Sequence, residues 1–303
     1  MTLSNTEIRD RCYRGIVLLG TVMTAVVTLL RVLLTPVLRD SDTGRFAASV
    51  AVVAAMALTV AAMALLASRG NAHRVEVSGK GALPLALSAL FAGALIGITG
   101  VWDLLNYILN GVVPAPATPM VSAVTGVVLL LSMWLMVAAG AALIFFGLQV
   151  IREGGTRIGM RAWSALLPTL WLWFRLARYE MSYASAISLD KSLADFGMFV
   201  LQLLFLFKLA RYVSGIGKTR PGSLMVYAMG AAMTSISGSL SRLCMYLLGD
   251  TQAYLASQLA GLPDFGIGVL ALVFAWTLYT SRMALRRQPS SEESSVSSDG
   301  LLF

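Results

Sequence analysis

The sequence predicts an all-α, polytopic transmembrane helical bundle, and three observations carry that reading. Of 303 residues, 57% are hydrophobic and 13% charged, far from the quarter-charged composition of soluble domains. Eight apolar stretches approach or exceed the roughly 20 residues needed to cross about 30 Å of hydrocarbon. Lys and Arg alternate between the loops that join them, as expected when cytoplasmic loops collect positive charge.

The stretches run near residues 15–38, 46–67, 84–109, 120–150, 162–181, 191–213, 223–248 and 263–282. They make one membrane domain over residues 1–282, followed by the Ser-rich segment 283–303, which lacks apolar periodicity and reads as a disordered cytoplasmic tail. The first span follows "MTLSNTEIRDRCYRG". It is too long and too Thr-rich for a cleaved signal and has no prompt small-residue cleavage site, so it reads as a helix that is retained.

Within the first span Thr21, Thr24, Thr28, Arg31 and Thr35 recur at helical spacing and share one face. The second span is mostly Ala, Val and Met. The third aligns Ser88, Thr99, Asp103, Asn106 and Asn110, with Gly93 and Gly97 in the GxxxG spacing of helix packing. The fourth is mostly Leu, Val and Ala. The fifth aligns Ser164, Pro168, Trp171, Arg175, Arg178 and Ser182, and the sixth Lys191, Asp195 and Gln202. The seventh is polar over a wider arc (Thr234, Ser235, Ser237, Ser239, Ser241, Arg242), and the eighth has few polar groups before its end. This pattern predicts helices 1, 3, 5, 6 and 7 in the interior and 2, 4 and 8 outside.

Orientation follows from counting Lys and Arg. The N-terminus (Arg9, Arg11, Arg14), the second, fourth and sixth loops and the C-terminal end carry 16, and the alternate loops carry only Arg39, Arg45 and Lys191. Both termini are therefore expected in the cytoplasm, in a plasma membrane. The exterior loops "NGVVPAPATP" and "GDTQAYLASQLAGLPD" have no Lys or Arg; the first reads as extended, the second as a segment lying along the interface. Five Trp residues, Trp171 among them, fall toward span ends as an interfacial belt would; Trp134 does not.

Hydroxyl stripes have two readings: bonds back to the helix's own carbonyls, or glue between helices. Charges are harder to explain by packing, since a charge at the bilayer centre costs at least about 2.5 kcal/mol on the mildest scale. Counting about 1.5 Å per residue from Arg161 puts Arg175 about 21 Å and Arg178 about 25 Å up the core, both in its outer half. Arg178 reaches water by snorkelling; Arg175 is the least comfortable. The candidate ligand-binding residues are therefore Arg31, Asp103, Asn106, Arg175, Arg178, Asp195, Gln202, Ser241 and Arg242, around a polar vestibule open to the outside. Their charge suits a small anionic or zwitterionic solute, bound or transported. The alternative is a sensor or assembly subunit, a homo-oligomer or the partner of another membrane subunit, whose stripes only pack helices.

Other chemistry finds little support. The single histidine, His73, lies in a cytoplasmic loop, so HExxH metalloprotease and Ser–His sites within the bilayer have no imidazole. "SGIGKTRPGS" at 214–223 has the wrong spacing for a phosphate loop and no preceding strand. No Asp cluster of the Mg²⁺-holding kind is present, and Asp103 with Asn106 and Asn110 supplies too few carboxylates for a metal. The sequence thus leans against an enzyme without deciding it, and no cofactor is expected. The net charge of +8 is accounted for by the cytoplasmic loops, so no nucleic-acid partner is expected either. Cys12 and Cys244, expected on opposite sides of the membrane, imply no disulfide.

The run from Pro168 through "LWLWFRLARYEMSYASAISLDKSLADFGMFVLQLLFLFKLARYVSGIGK" has Pro-x-x-Trp leading into a basic helix end. A short Ser-rich loop follows, then an acidic residue opening an apolar helix that closes on Ala-Arg. In these features it resembles a group of multi-spanning hypothetical membrane proteins of Gram-positive anaerobic bacteria. The likeness covers about a sixth of the chain. It implies a bacterial inner-membrane location and transfers no site.

Overall fold

The computed structural model describes residues 5–37, 42–69, 82–110, 119–154, 162–183, 189–215, 220–247 and 251–287. Among them are eight α-helices and no strands: α1 (Asn5–Val37), α2 (Asp42–Arg69), α3 (Ala82–Asn110), α4 (Pro119–Glu153), α5 (Ala162–Tyr183), α6 (Leu189–Val213), α7 (Pro221–Leu247) and α8 (Thr251–Arg287). The expected disordered tail is corrected at its start, since residues 283–287 continue α8, and its remainder, with residues 111–118 of "NGVVPAPATP", falls outside the described residues.

Six helices are long and apolar enough to cross a membrane among the described residues: α1, α2, α3, α4, α6 and α8. The other two are polar for identifiable reasons. The α5 sequence holds Arg175, Arg178 and Glu180. The α7 sequence is diluted by Thr234, Ser235, Ser237, Ser239 and Ser241, but almost every residue from Leu224 to Ser239 is covered by protein. A helix wrapped by other helices needs no lipid-grade surface.

That wrapping defines the architecture. α7 packs against α1, α2, α6 and α8, and α8 packs in turn against α3, while α3, α4, α5 and α6 follow one another around the side. Directions are fixed by pairs of contacts. A methyl group at Gly222 would meet Tyr13 Oη at 3.4 Å, one at Gly20 would meet Met229, and one at Gly238 would meet Arg31 Nη1 at 3.5 Å, so α1 and α7 run parallel. Gln202 pairs with Ser235 and Asp195 with Arg242, so α6 is antiparallel to α7. Gly268 abuts Ile236, and Arg242 reaches Asp264, so α8 is antiparallel too.

Helix α8 corrects the expected arrangement. The sequence predicts it outside, yet 67% of its apolar window is buried, whereas α1 and α2 bury 28% and 22% of theirs. Small residues explain it: Gly266 backs onto Ala92 of α3, Gly268 onto Ile236 of α7, and Ala271 and Ala275 are fully buried. Phe274 completes the core, edge-on to Tyr212 at 5.7 Å and tilted against Phe205 at 6.0 Å. The stretch "GDTQAYLASQLAGLPD" is helical from Thr251 onward and continuous with the rest of α8 through Pro263.

The α3–α4 contact is equally close. Gly93 and Gly97 face Gly140, with Gly147 against the Ala86 carbonyl. In lipid, where burial of apolar surface gives helices little drive to associate, close backbone approach is a main source of attraction. Gly154 and Gly215 close α4 and α6 with φ of 66° and 70°, a backbone conformation that favours glycine.

Candidate functional site

Hydroxyls and charges part company in the structure. Thr21 donates to the Val17 carbonyl at 2.8 Å, Thr24 to Gly20 at 2.7 Å, Thr59 to Ala55 at 2.7 Å, Ser88 to Leu85 at 2.8 Å and Thr99 to Leu95 at 2.7 Å. These are bonds within one helix, so these hydroxyls are satisfied by their own backbone, whereas the Thr28 and Ser239 hydroxyls are buried without a partner. Thr21 additionally accepts from Trp276 Nε1 at 3.1 Å, tying α1 to α8. The charged residues instead reach across the bundle.

They converge on Asp264, a residue absent from the sequence-derived candidates. Its side chain is 0% exposed. Arg175 of α5 grips it with both arms, Nη1 on Oδ1 at 2.6 Å and Nη2 on Oδ2 at 2.9 Å. Gln202 of α6 donates Nε2 to Oδ1 at 3.0 Å, and Arg242 of α7 donates Nη1 to Oδ2 at 3.3 Å. Two hydrogen bonds to each oxygen saturate the carboxylate, and a bidentate charge-assisted pair is the strongest arrangement available to Arg. The Gln202 amide also donates to Ser235 Oγ at 2.9 Å, which fixes its orientation, because the opposite flip would turn its carbonyl onto a carboxylate.

Arg242 is the hinge of the cluster. Its Nη2 donates to Asp195 Oδ1 of α6 at 2.7 Å, so one guanidinium bridges two carboxylates. Arg31 of α1 lies beside them, its Nη1 against Gly238 and its charge within electrostatic range of both Asp195 and Arg242. Arg175 stacks on two rings, 5.5 Å above Trp171 and 4.7 Å above Phe199, a cation–π arrangement that suits a guanidinium removed from water. Trp171 is 1% exposed, which removes it from the interfacial belt to which its sequence position assigned it. Arg175 is thus paired with Asp264, an acid on a helix that the sequence reading places outside the interior.

Of the sequence-derived candidates, Arg175, Asp195, Gln202 and Arg242 meet in one network and Arg31 adjoins it. Ser241 is half-buried next to Arg242 in sequence. Asp103, half-buried, and Asn106, exposed, lie farther along α3: Asp103 is about 16 Å of helix past the Ala92–Gly266 crossing. The side chain of Arg178 lies outside the described residues, as do those of Thr35, Asn110, Glu180, Ser182 and Lys191. Cys12 is buried near the Tyr13–Gly222 end and Cys244 half-buried near Arg242, both as free thiols. Among the described residues no three His, Cys, Asp or Glu side chains come together.

Fold and cluster together define a helical, multi-pass membrane protein with an ion-paired charge cluster gathered at one end of its bundle. Comparison of the chain with protein-family models, curated proteins and solved structures finds no match in any of the three.

Proposed function

We propose that the chain crosses a bacterial plasma membrane eight times, with both termini cytoplasmic, and that its charge cluster binds a small anionic or zwitterionic solute from the outer side. Three features support the eight-fold crossing: the Lys and Arg alternation, the antiparallel placement of α6 and α8 against α7, and the burial of polar α7 within the bundle. By that orientation the Tyr13–Gly222 end is cytoplasmic and the charged end faces out. A periplasmically active reporter fused after Tyr183 should be active, and a silent fusion would contradict this placement of α5.

The observation that carries the solute reading is the convergence of Arg31, Arg175, Asp195, Arg242 and Asp264 from five helices on one end of the bundle. The cluster is graded from a sealed Asp264 to an Arg242–Asp195 pair whose side chains are 26% and 25% exposed. Charges held in a membrane protein interior are costly and default to a functional role. Guanidinium groups outnumber carboxylates among these five residues, which suits a solute bearing a carboxylate or phosphate.

The full saturation of Asp264 favours a second reading, an assembly subunit or sensor in which the cluster is a clasp. Thermal unfolding of the purified protein in detergent separates the two. With millimolar amino acids, small carboxylates or phosphate, at least one solute should raise the midpoint saturably, as binding to the folded state requires. Arg242→Gln should abolish the rise. If no solute in such a panel moves the midpoint, the clasp reading replaces the solute reading.

A further inference from the structure

The next step rests on the solute reading and concerns the two acids that share Arg242. They differ in kind. Asp264 is sealed from solvent and held by three side chains from α5, α6 and α7. Asp195 has a quarter of its side chain exposed, yet makes the shorter contact, 2.7 Å to Nη2 against 3.3 Å from Nη1 to Asp264. An ion pair at the edge of water is screened and exchanges readily, whereas one buried in the core does not.

Unused hydrogen-bonding capacity lies close by. Ser239 precedes Arg242 by one turn on the same face of α7, and its Oγ is buried without a hydrogen-bond partner. Gln202 Oε1, on the residue that braces Asp264, is likewise buried and unpartnered. Buried polar atoms without partners are rare and call for an explanation. A second guanidinium, that of Arg31, stands over Gly238, the neighbour of Ser239 in sequence, with its charge in electrostatic range of Asp195 and Arg242.

We propose that Asp195 is an internal stand-in for the carboxylate of the solute. The solute carboxylate takes its place on Arg242 Nη2, with Arg31 as the second cation and the Ser239 hydroxyl as an added donor. Asp264 meanwhile keeps Arg175 and the Nη1 arm of Arg242 fixed. The exchange replaces one ion pair by another, so no cation is left bare inside the bundle at any stage. A zwitterionic amino acid gains a further contact, because the released Asp195 can accept its ammonium group.

The test is chemical rescue in the full chain, with acetate as probe and chloride at equal ionic strength as control. Asp195→Ala should melt below the wild type, and acetate, but not chloride, should restore the midpoint saturably. The half-effective acetate concentration should be at least tenfold lower than for the wild type, where Asp195 competes. If Asp195→Ala does not accumulate, Asp195→Asn keeps the side-chain shape without the charge and should show the same tenfold shift. Equal responses to acetate and chloride, or a response that survives Arg242→Gln in the same background, would overturn the proposal. Rescue of Asp195→Ala by acetate with no solute acting on the wild type would uphold the exchange position while removing the solute reading on which it was built.

Discussion

Asp264→Asn is expected to destabilise the protein by about 3–5 kcal/mol, the cost of removing one partner of a buried ion pair. The substitution hardly changes volume, so the loss is electrostatic. Arg175, with its side chain 15% exposed, and Arg242 keep their charges but lose the acid that both share. The asparagine amide nitrogen would also face donors where an acceptor is needed. Asp195→Asn should cost much less, because its pair with Arg242 is partly solvated. Thermal unfolding of both variants in detergent gives the comparison. A loss for Asp264→Asn no larger than for Asp195→Asn would show that burial of Asp264 does not govern the energetics of the cluster.

Gly140→Val is expected to be the most damaging change in the apolar part of the bundle, at about 3 kcal/mol or more from overpacking. Even a methyl group there would sit 2.6 Å from Gly97 N and 2.7 Å from Gly97 Cα, and these backbone atoms have no rotamer by which to escape. Gly97→Ala provides the contrast. Its own Cβ would point into open space, with nothing within 4 Å, so it should stay within about 0.5 kcal/mol of the wild type. The two glycines face each other across one crossing, yet only one tolerates a side chain. Comparable melting shifts for the two variants would contradict the α3–α4 geometry.

The helical class was legible because long apolar stretches have few alternatives, and α3 announced its packing face through Gly93 and Gly97. The centre of the bundle was legible only in part: the wide polar arc of α7 put that helix inside, but nothing put α8 beside it. Hydropathy ranks α8 as an ordinary span and α7 as a poor one, because it measures compatibility with lipid and says nothing about which helices surround a given helix. Asp264 was missed for a local reason: in "AGLPDFG" it follows a proline and lies between glycines, a pattern that reads as a loop end. The structure runs helix straight through it.

Two signals would have found it. Gly266, Gly268, Ala271 and Ala275 form a small-residue surface on α8 that calls for close neighbours. Arg175 sits deep enough to require a buried acid, and Asp264 lies at the matching end of the eighth apolar stretch. Arg175, Asp195 and Arg242 were found because charges in apolar sequence stand out singly. Their pairing depends on helix neighbours that no local pattern encodes.

The central claim is that Arg175 and Asp264 form one buried unit around which the charged end of the bundle is organised. A double-mutant cycle with Arg175→Gln, Asp264→Asn and the two combined measures it directly, by thermal unfolding of each form in the same detergent. Removing both charges should cost far less than the sum of the single losses, with a coupling energy of about 2 kcal/mol or more. Additivity to within about 0.5 kcal/mol would mean that the two residues act independently, and would contradict the account.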